Sequence, residues 1–146
     1  MALFKRNRRA IKRILIVEDE PLVAFDNEHQ LGLAGYEVVA TLDRGEDAIR
    51  FFAPDRIDAV VLDVGLAGEI SGIAVAKAAA EHDIPVLFVT GQCPGDAKPY
   101  AYACLSKPYS PSALVAALAA VDSLVQGREP ENLPPGLALF RAATVR

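Results

Sequence analysis

Apolar runs of strand length alternate with helical patterns from Arg13 onward, and this alternation predicts the fold. The runs that indicate strands cover residues 14–17, 36–40, 59–62, 85–89 and 103–106. Helical spacing of apolar residues covers residues 21–34, 44–53, 71–82 and 110–126. Strands that are apolar on both faces are typical of parallel sheets covered by helices. The pattern therefore predicts a doubly wound, three-layer α/β domain with five parallel strands.

Helix boundaries are marked by residues with known positional preferences. Pro21 suits the first turn of the first helix, and Gly35 suits its end. Ser71 and Ser110 are good N-caps for the third and fourth helical segments. Only 16 residues lie between Thr90 and Lys107, and Gly and Pro interrupt them. We therefore expect a loop with at most one or two helical turns there, which is a reduced fourth helix.

Composition fits one globular domain. The chain has 146 residues, of which 52% are hydrophobic, and this is enough for a core. It contains no apolar run of the length that a membrane span needs. The two cysteines, Cys93 and Cys104, are too few for a disulfide framework, and we interpret them as small, unpaired core residues in a reducing cytoplasm.

Charge is distributed unevenly along the chain. Six Lys and Arg residues precede the first acidic residue, while the net charge of the whole chain is −4. An acidic domain with a short basic arm makes a poor binder of duplex DNA, because neutralising phosphates needs a basic face. We expect the arm, residues 1–12, to be a solvated terminus. The tail, residues 127–146, is rich in Pro.

Polar residues stand directly after the predicted strands. In open parallel sheets, ligands bind beyond the carboxyl ends of the strands, so side chains at these ends should converge. The second strand lacks such a residue, as expected of an edge strand away from the crevice. The converging residues are Glu18, Asp19 and Glu20 after the first strand, Asp63 after the third, Thr90 after the fourth and Lys107 after the fifth.

Such a cluster is suited to phosphoryl chemistry. Glu18, Asp19 and Asp63 would repel one another without a cation, and a few hard oxygen ligands suit Mg²⁺. A carboxylate beside Mg²⁺ can attack phosphorus and form an acyl phosphate. A lysine ammonium and a hydroxyl, here Lys107 and Thr90, could then stabilise the phosphoryl oxygens.

Four motifs in order resemble the receiver domain of two-component response regulators, over about residues 12–126. They are Ile-Leu-Ile-Val-Glu-Asp-Glu-Pro at 14–21, Val-Val-Leu-Asp-Val at 60–64, Phe-Val-Thr-Gly at 88–91 and Leu-Ser-Lys-Pro-Tyr at 105–109. The resemblance implies a flavodoxin-like (βα)5 fold with a five-stranded parallel sheet.

The same resemblance assigns roles to residues of the site. It implies that Asp63 is the phosphoacceptor, Thr90 the switch hydroxyl and Lys107 the phosphate-binding lysine, followed by a cis peptide to Pro108. The Mg²⁺ ligands that it implies are Glu18, Asp19, Asp63 and the backbone carbonyl of Gly65.

Details of the sequence are similar to the "FAT GUY" subgroup of receivers. The shared features are Gly-Glu-Ile-Ser-Gly at 68–72, Phe-x-Thr-Gly at the fourth strand and the short next helix. Members of this subgroup are often single-domain proteins paired with atypical histidine kinases in alphaproteobacteria. The chain departs from typical receivers three residues before the lysine, where Cys104 replaces a Tyr or Phe.

We therefore expect residues 13–126 to be a stand-alone, cytoplasmic receiver. It would accept a phosphoryl group on Asp63 from a sensor histidine kinase or phosphotransfer protein, with Mg²⁺, and signal to a downstream protein. Its only catalysis would be phosphorylation and dephosphorylation of itself. The alternative is a degenerate receiver that binds partners independently of phosphorylation. A small Mg²⁺-dependent phosphatase is disfavoured, because Gly65 stands where such enzymes commonly carry a general acid.

The tail allows three hypotheses. Its apolar residues could cover the groove left by the reduced fourth helix, mediate a homodimer, or belong to a disordered terminus. The residues concerned are Leu133, Leu137, Leu139 and Phe140.

Overall fold

Strands and helices alternate along the chain in the computed structural model, which describes residues 8–53, 56–66 and 68–141. The strands are β1 (Arg13–Val17), β2 (Glu37–Leu42), β3 (Ala59–Leu62), β4 (Val86–Thr90), β5 (Ala103–Ser106) and β6 (Leu137–Leu139). The helices are α1 (Pro21–Leu33), α2 (Gly45–Ile49), α3 (Gly72–Glu81) and α4 (Pro111–Val125), with a 3-10 turn at Lys98–Tyr100.

All six strands belong to one sheet in the order β2-β1-β3-β4-β5-β6. The first five strands are mutually parallel, which confirms the predicted doubly wound sheet. The strand β2 lies at one edge, as expected from its lack of a polar residue at the carboxyl end. The sixth strand, β6, is antiparallel to β5 and was not predicted.

Two apolar cores lie on opposite faces of this sheet. Along β1, Ile14 and Ile16 belong to the core that includes Leu118 of α4, whereas Leu15 belongs to the core that includes Val75 of α3. Because successive side chains of a strand point to opposite faces, one apolar strand supplies both cores. This is why the central strands are apolar at every position except Arg13 and Thr90, which lie at strand ends.

The predicted helix starts are confirmed. Pro21 occupies the first turn of α1. The hydroxyl of Ser71 accepts a hydrogen bond from the N–H of Ala74, and that of Ser110 accepts one from the N–H of Ala113. The second helix differs from its prediction, because α2 has only five residues. Pro54, which was predicted to close it, lies outside the described residues.

The connection between β4 and β5 is short, as predicted, and contains only the 3-10 turn. Cys93 in this connection and Cys104 in β5 are joined by a disulfide. The interpretation of both residues as unpaired was therefore wrong. The chain leaves β4, passes through the turn and returns to β5, which brings the two Cα atoms to 6.0 Å.

The tail adds β6 along the outer edge of β5. The backbone N–H of Phe140 donates to the carbonyl of Tyr102, and the guanidinium of Arg141 lies over the ring of Tyr102. Phe140 packs against the core that contains Cys104. Residues 137–141 therefore cover the region beside the short connection, which is the first of the three hypotheses. Residues 142–146 lie outside the described part of the chain.

The described part of the basic arm packs against the domain. The guanidinium of Arg9 lies 4.1 Å from the centre of the Tyr36 ring, and the N–H of Ala10 donates to Asp122. The expectation of a solvated terminus is therefore wrong for these residues, while residues 1–7 lie outside the described part of the chain. None of the helices described is long and apolar enough to cross a membrane.

One glycine fixes how closely α3 approaches the end of β3. A Cβ on Gly72 would lie 2.6 Å from the carbonyl oxygen of Asp63 and equally close to the backbone of Val64. A contact that short with backbone atoms forces the helix away from the strand. Gly32, near the end of α1, provides a contrast, because a Cβ added there would meet no atom within 4 Å.

We predict opposite effects of the same substitution at these two glycines. Gly72→Ala should destabilise the fold by about 1–3 kcal/mol because it overpacks the helix against the strand. Gly32→Ala should stabilise it by up to about 1 kcal/mol through helix propensity. Urea unfolding followed by circular dichroism measures both. Equal stabilities of the two variants would show that the close approach at Gly72 does not constrain the fold.

Candidate functional site

The carboxyl ends of four strands bring polar side chains to one edge of the sheet. Asp63 follows β3, Glu18 follows β1, Thr90 ends β4 and Lys107 follows β5. The side chains of Glu18, Asp63 and Thr90 are buried. An open cavity at this edge is lined by Asp19, Glu20, Pro21, Leu22, Asp63, Gly65, Thr90, Gly91 and Lys107.

Lys107 lies among three carboxylates. Its Nζ is 2.9 Å from Oε1 of Glu18, 3.4 Å from Oδ2 of Asp63 and 3.7 Å from Oε1 of Glu20. One oxygen of each acid lies within 4.8 Å of the others. One ammonium cannot balance three carboxylates, so the fully ionised cluster carries an excess of negative charge.

Burial makes Glu18 unusual within this cluster. Its side chain is 1% exposed, and its Oε2 accepts a hydrogen bond from the N–H of Glu20. Among the described residues, its buried Oε1 finds no hydrogen-bond partner of good geometry, although the ammonium of Lys107 is near it. Burial raises the pKa of Glu18 to about 7, and Asp63 also raises it, while Lys107 acts in the opposite direction.

The pKa of Lys107 depends on the same neighbouring carboxylates. Burial by itself would lower its pKa, but the carboxylates of Glu18, Asp63 and Glu20 together outweigh that effect and raise it. The ammonium therefore stays charged at neutral pH. Its backbone N–H donates to the carbonyl of Thr90 at 2.7 Å, which fixes the two strand ends side by side. The peptide bond to Pro108 is cis, as the resemblance implies.

The backbone holds Asp63 in place from two directions. The N–H of Asp63 donates to the carbonyl of Val17, which ties the end of β3 to the end of β1. The N–H of Gly65 donates to Oδ1 of Asp63 at 3.0 Å. Oδ2 points towards Lys107, and the side chain lines the open cavity. Asp63 is thus oriented and reachable from solvent.

The structure brings together the residues that the sequence singled out. Glu18, Asp63 and Lys107 form the close cluster, and Asp19, Gly65 and Thr90 line the same cavity. Glu20 belongs to the close cluster but was absent from the predicted ligand set. The sequence did show it in the acidic run 18–20, but the pattern could not tell whether Asp19 or Glu20 brings a carboxylate close to Glu18 and Asp63, and the exposed Glu20 does so.

The donor set suits a hard cation. Three carboxylates supply oxygen atoms, and one of them, Oε1 of Glu18, is buried without a good hydrogen-bond partner. Oxygen-rich sites of this kind favour Mg²⁺, which takes one or two carboxylates and keeps several waters. The residues present therefore fit the ion that the resemblance implies.

Relatives with similar sequences match this chain over only part of their own length. The chain is 34% identical over 82 residues to transcriptional regulatory protein PrrA of Mycobacterium tuberculosis, covering 55% of this chain and 34% of that protein. It is 30% identical over 114 residues to transcriptional regulatory protein PdtaR of the same species, covering 73% of this chain and 55% of that protein. The chain thus spans about a third to about half of the length of these relatives.

Solved structures share the architecture. The receiver domain of a modulated diguanylate cyclase from Desulfovibrio desulfuricans G20 is 32% identical, with a TM-score of 0.63 over 72% of this chain and 88% of that chain. Chemotaxis protein CheY4 of Vibrio cholerae is 27% identical, with a TM-score of 0.66 over 77% and 99% of the two chains.

A family profile described as "Response regulator receiver domain" matches residues 14–119, which is most of the chain. The matched region contains every strand end that contributes to the cavity. The chain belongs to the response regulator receiver domain family of two-component systems.

Proposed function

We propose that the protein is a cytoplasmic phosphoryl acceptor that takes the group on Asp63 from a sensor histidine kinase or a phosphotransfer protein. The observation that carries the proposal is the position of Lys107, whose ammonium lies within 3.4 Å of an oriented, cavity-lining carboxylate. The phosphorylated form would then signal to a downstream protein through a changed surface.

The residues of the chain divide the chemistry among them. A carboxylate oxygen of Asp63 attacks phosphorus, the bond from phosphorus to the donor breaks, and an acyl phosphate forms on Asp63. Lys107 pairs with an oxygen of the transferred group and exchanges part of its contact with Glu18 for it. The hydroxyl of Thr90, which lines the same cavity, donates to another oxygen.

Mg²⁺ supplies positive charge next to the transferred oxygens when it is bound. The ligands that we propose are Glu18, Asp19, Asp63 and the backbone carbonyl of Gly65. Glu20 is a further candidate because it belongs to the close carboxylate cluster.

Turnover of a separate phosphate ester fits the site less well. Gly65, two residues after Asp63, has no side chain that could protonate a leaving group. The names of the relatives describe transcriptional regulators, and the matched parts are a fraction of those proteins. Direct contact with DNA is therefore not part of the proposal. The degenerate receiver is disfavoured because the charged groups that phosphoryl transfer needs are all present and converge.

Phosphorylation of Asp63 can be tested directly by intact-mass spectrometry after incubation with acetyl phosphate. We expect the wild type to gain one phosphoryl group with Mg²⁺ and none when the metal is removed with a chelator. Asp63→Asn should gain none under either condition. Asp83→Asn is the matched control, since Asp83 is exposed, has positive φ, which Asn tolerates, and lies at the other end of β4.

A phosphoryl gain by Asp63→Asn equal to that of the wild type would contradict the assignment of the acceptor. A complete lack of the adduct with acetyl phosphate and with a histidine kinase as donor would favour the degenerate receiver instead.

Metal binding should release a proton from Glu18. Because its pKa is about 7 in the metal-free protein, the carboxyl is largely protonated below that pH and must ionise to bind a cation. We expect proton release on Mg²⁺ binding at about pH 6, and a release that falls as the pH rises above about 7. Apparent affinity for Mg²⁺ should therefore rise with pH up to about 7.

Calorimetric titration with Mg²⁺ in two buffers of different ionisation enthalpy counts these protons. Glu18→Gln is the control, since its amide has no proton to release in this range. Proton release that is the same in this variant and in the wild type would show that another group titrates.

A further inference from the structure

We propose that the Cys93–Cys104 disulfide is a reversible redox modification site that controls the mobility of the segment following Thr90. The chain has no other cysteine, so these two residues form a self-contained pair. Their Cα separation of 6.0 Å lies within the usual range for a disulfide. The functional consequence for Asp63 rests on the proposed function, whereas the redox behaviour does not.

The disulfide links two parts of the phosphoryl site. Cys93 lies three residues after Thr90, and Cys104 lies three residues before Lys107. Thr90 and Lys107 both line the cavity beside Asp63. Sγ of Cys93 also lies 3.8 Å from Oγ of Ser106, the residue directly before Lys107. The cross-link therefore ties the segment that leaves Thr90 to the strand that leads to Lys107.

Few other contacts hold that segment. Gly91, Gln92, Gly95 and Asp96 are exposed. In the described part of the chain, residues 91–96 take part in none of the backbone hydrogen bonds of the loops. Ala97 is the next buried residue, where the chain returns to the apolar core. Cys93 is consequently the main anchor between Thr90 and the 3-10 turn.

The two cysteines differ in burial, and this difference sets the direction of attack that we propose. Cys104 is fully buried in β5, with Phe88 opposite it on one side and Ala138 on the other. Cys93 is half-buried in the loop. An incoming thiolate can therefore reach Cys93 but not Cys104. Disulfides in reducing compartments are usually transient or redox-sensing, which fits an accessible bond of this kind better than a buried one.

The redox step balances with a small thiol such as glutathione as the reductant. A glutathione thiolate attacks Sγ of Cys93, a mixed disulfide forms, and Cys104 leaves as a thiolate that takes up a proton. A second glutathione attacks the mixed disulfide, which frees Cys93 and gives glutathione disulfide. Two electrons pass from two glutathione molecules to the pair, and the reverse reaction with glutathione disulfide restores the bond.

Reduction would release the segment from β5 without opening the sheet. The strand β5 keeps its ladders with β4 and β6, because these depend on the backbone. Residues 91–96, by contrast, lose their main anchor. The conformation that receives the phosphoryl group then becomes easier to reach when the pair is reduced.

The redox state can be measured with the full chain. The protein is equilibrated with glutathione and glutathione disulfide at several ratios, labelled with N-ethylmaleimide and weighed by mass spectrometry. We expect no label on the oxidised form, two labels on the reduced form, and reversible interconversion while circular dichroism shows a folded protein. A bond that glutathione cannot reduce in the folded protein would overturn the proposal, because the disulfide would then be a permanent cross-link.

Hydrogen exchange tests the mobility that the proposal assigns. We expect the hydrogen-bonded amides of Tyr100 and Ala101, in the turn that follows this segment, to exchange about tenfold faster after reduction, while those of β1, β3 and β4 keep their rates. Cys93→Ser should exchange like the reduced wild type under all conditions, and Gln92→Ser, at the exposed neighbouring position, should retain the redox response. If Cys93→Ser fails to fold, the reduced wild type supplies the same comparison. Unchanged exchange at Tyr100 and Ala101 would overturn the proposal.

The rate of phosphorylation tests whether the redox state of the Cys93–Cys104 pair affects the site at Asp63. We expect the reduced protein to gain the phosphoryl group from acetyl phosphate at least about threefold faster than the oxidised protein. Equal rates would overturn this link. If neither form is phosphorylated by acetyl phosphate or by a histidine kinase, the proposed function fails, while the labelling and exchange results still decide the redox proposal.

Discussion

The excess of carboxylates around one ammonium is the constraint on which the rest of the site depends. Lys107 lies near the carboxylates of Glu18, Glu20 and Asp63. Glu18 and Glu20 follow β1, whereas Asp63 follows β3. Such a cluster would repel itself unless cations are close to it. The two apolar cores hold the strands of the sheet together at a distance from these charges. The free energy gained by burying apolar side chains therefore offsets the repulsion between the carboxylates at the edge.

Because apolar strands form the cores and polar residues at the strand ends form the site, both could be predicted from the sequence. Strands β1, β3 and β4 are continuous apolar runs, because both faces of each are buried, and their positions could be predicted closely. The caps at Ser71 and Ser110 depend on residues only three positions away, so they too were visible. Convergence of Glu18, Asp63 and Lys107 followed from topology alone, since parallel strands end at one edge.

Features that depend on long-range packing could not be predicted in this way. The pairing of Cys93 with Cys104 depends on the path of the connection, and β6 depends on an open edge at β5. The approach of the exposed Glu20 carboxylate to Lys107 depends on where α1 begins rather than on the acidic run itself. The contact of Arg9 with Tyr36 joins the arm to the start of β2, and no local pattern indicates it.

The replacement of an aromatic residue by Cys104 connects these observations. Cys104 packs under the connection between β4 and β5, and its sulfur is bonded to that connection. A covalent link thus occupies the place where the resemblance leads us to expect the ring of a Tyr or Phe. In the switch that we propose, coupling between Thr90 and the surface would depend on the segment 91–96 rather than on a side-chain rotation.

We propose that Asp63, Lys107 and a bound Mg²⁺ together form one phosphoryl site. The trifluoroberyllate anion mimics a phosphoryl group on a carboxylate, and ¹⁹F NMR distinguishes its bound and free forms. We expect bound resonances for the wild type only when Mg²⁺ is present, and none for Asp63→Asn or Lys107→Ala. Bound resonances without Mg²⁺, or of equal intensity in Asp63→Asn, would contradict this proposal.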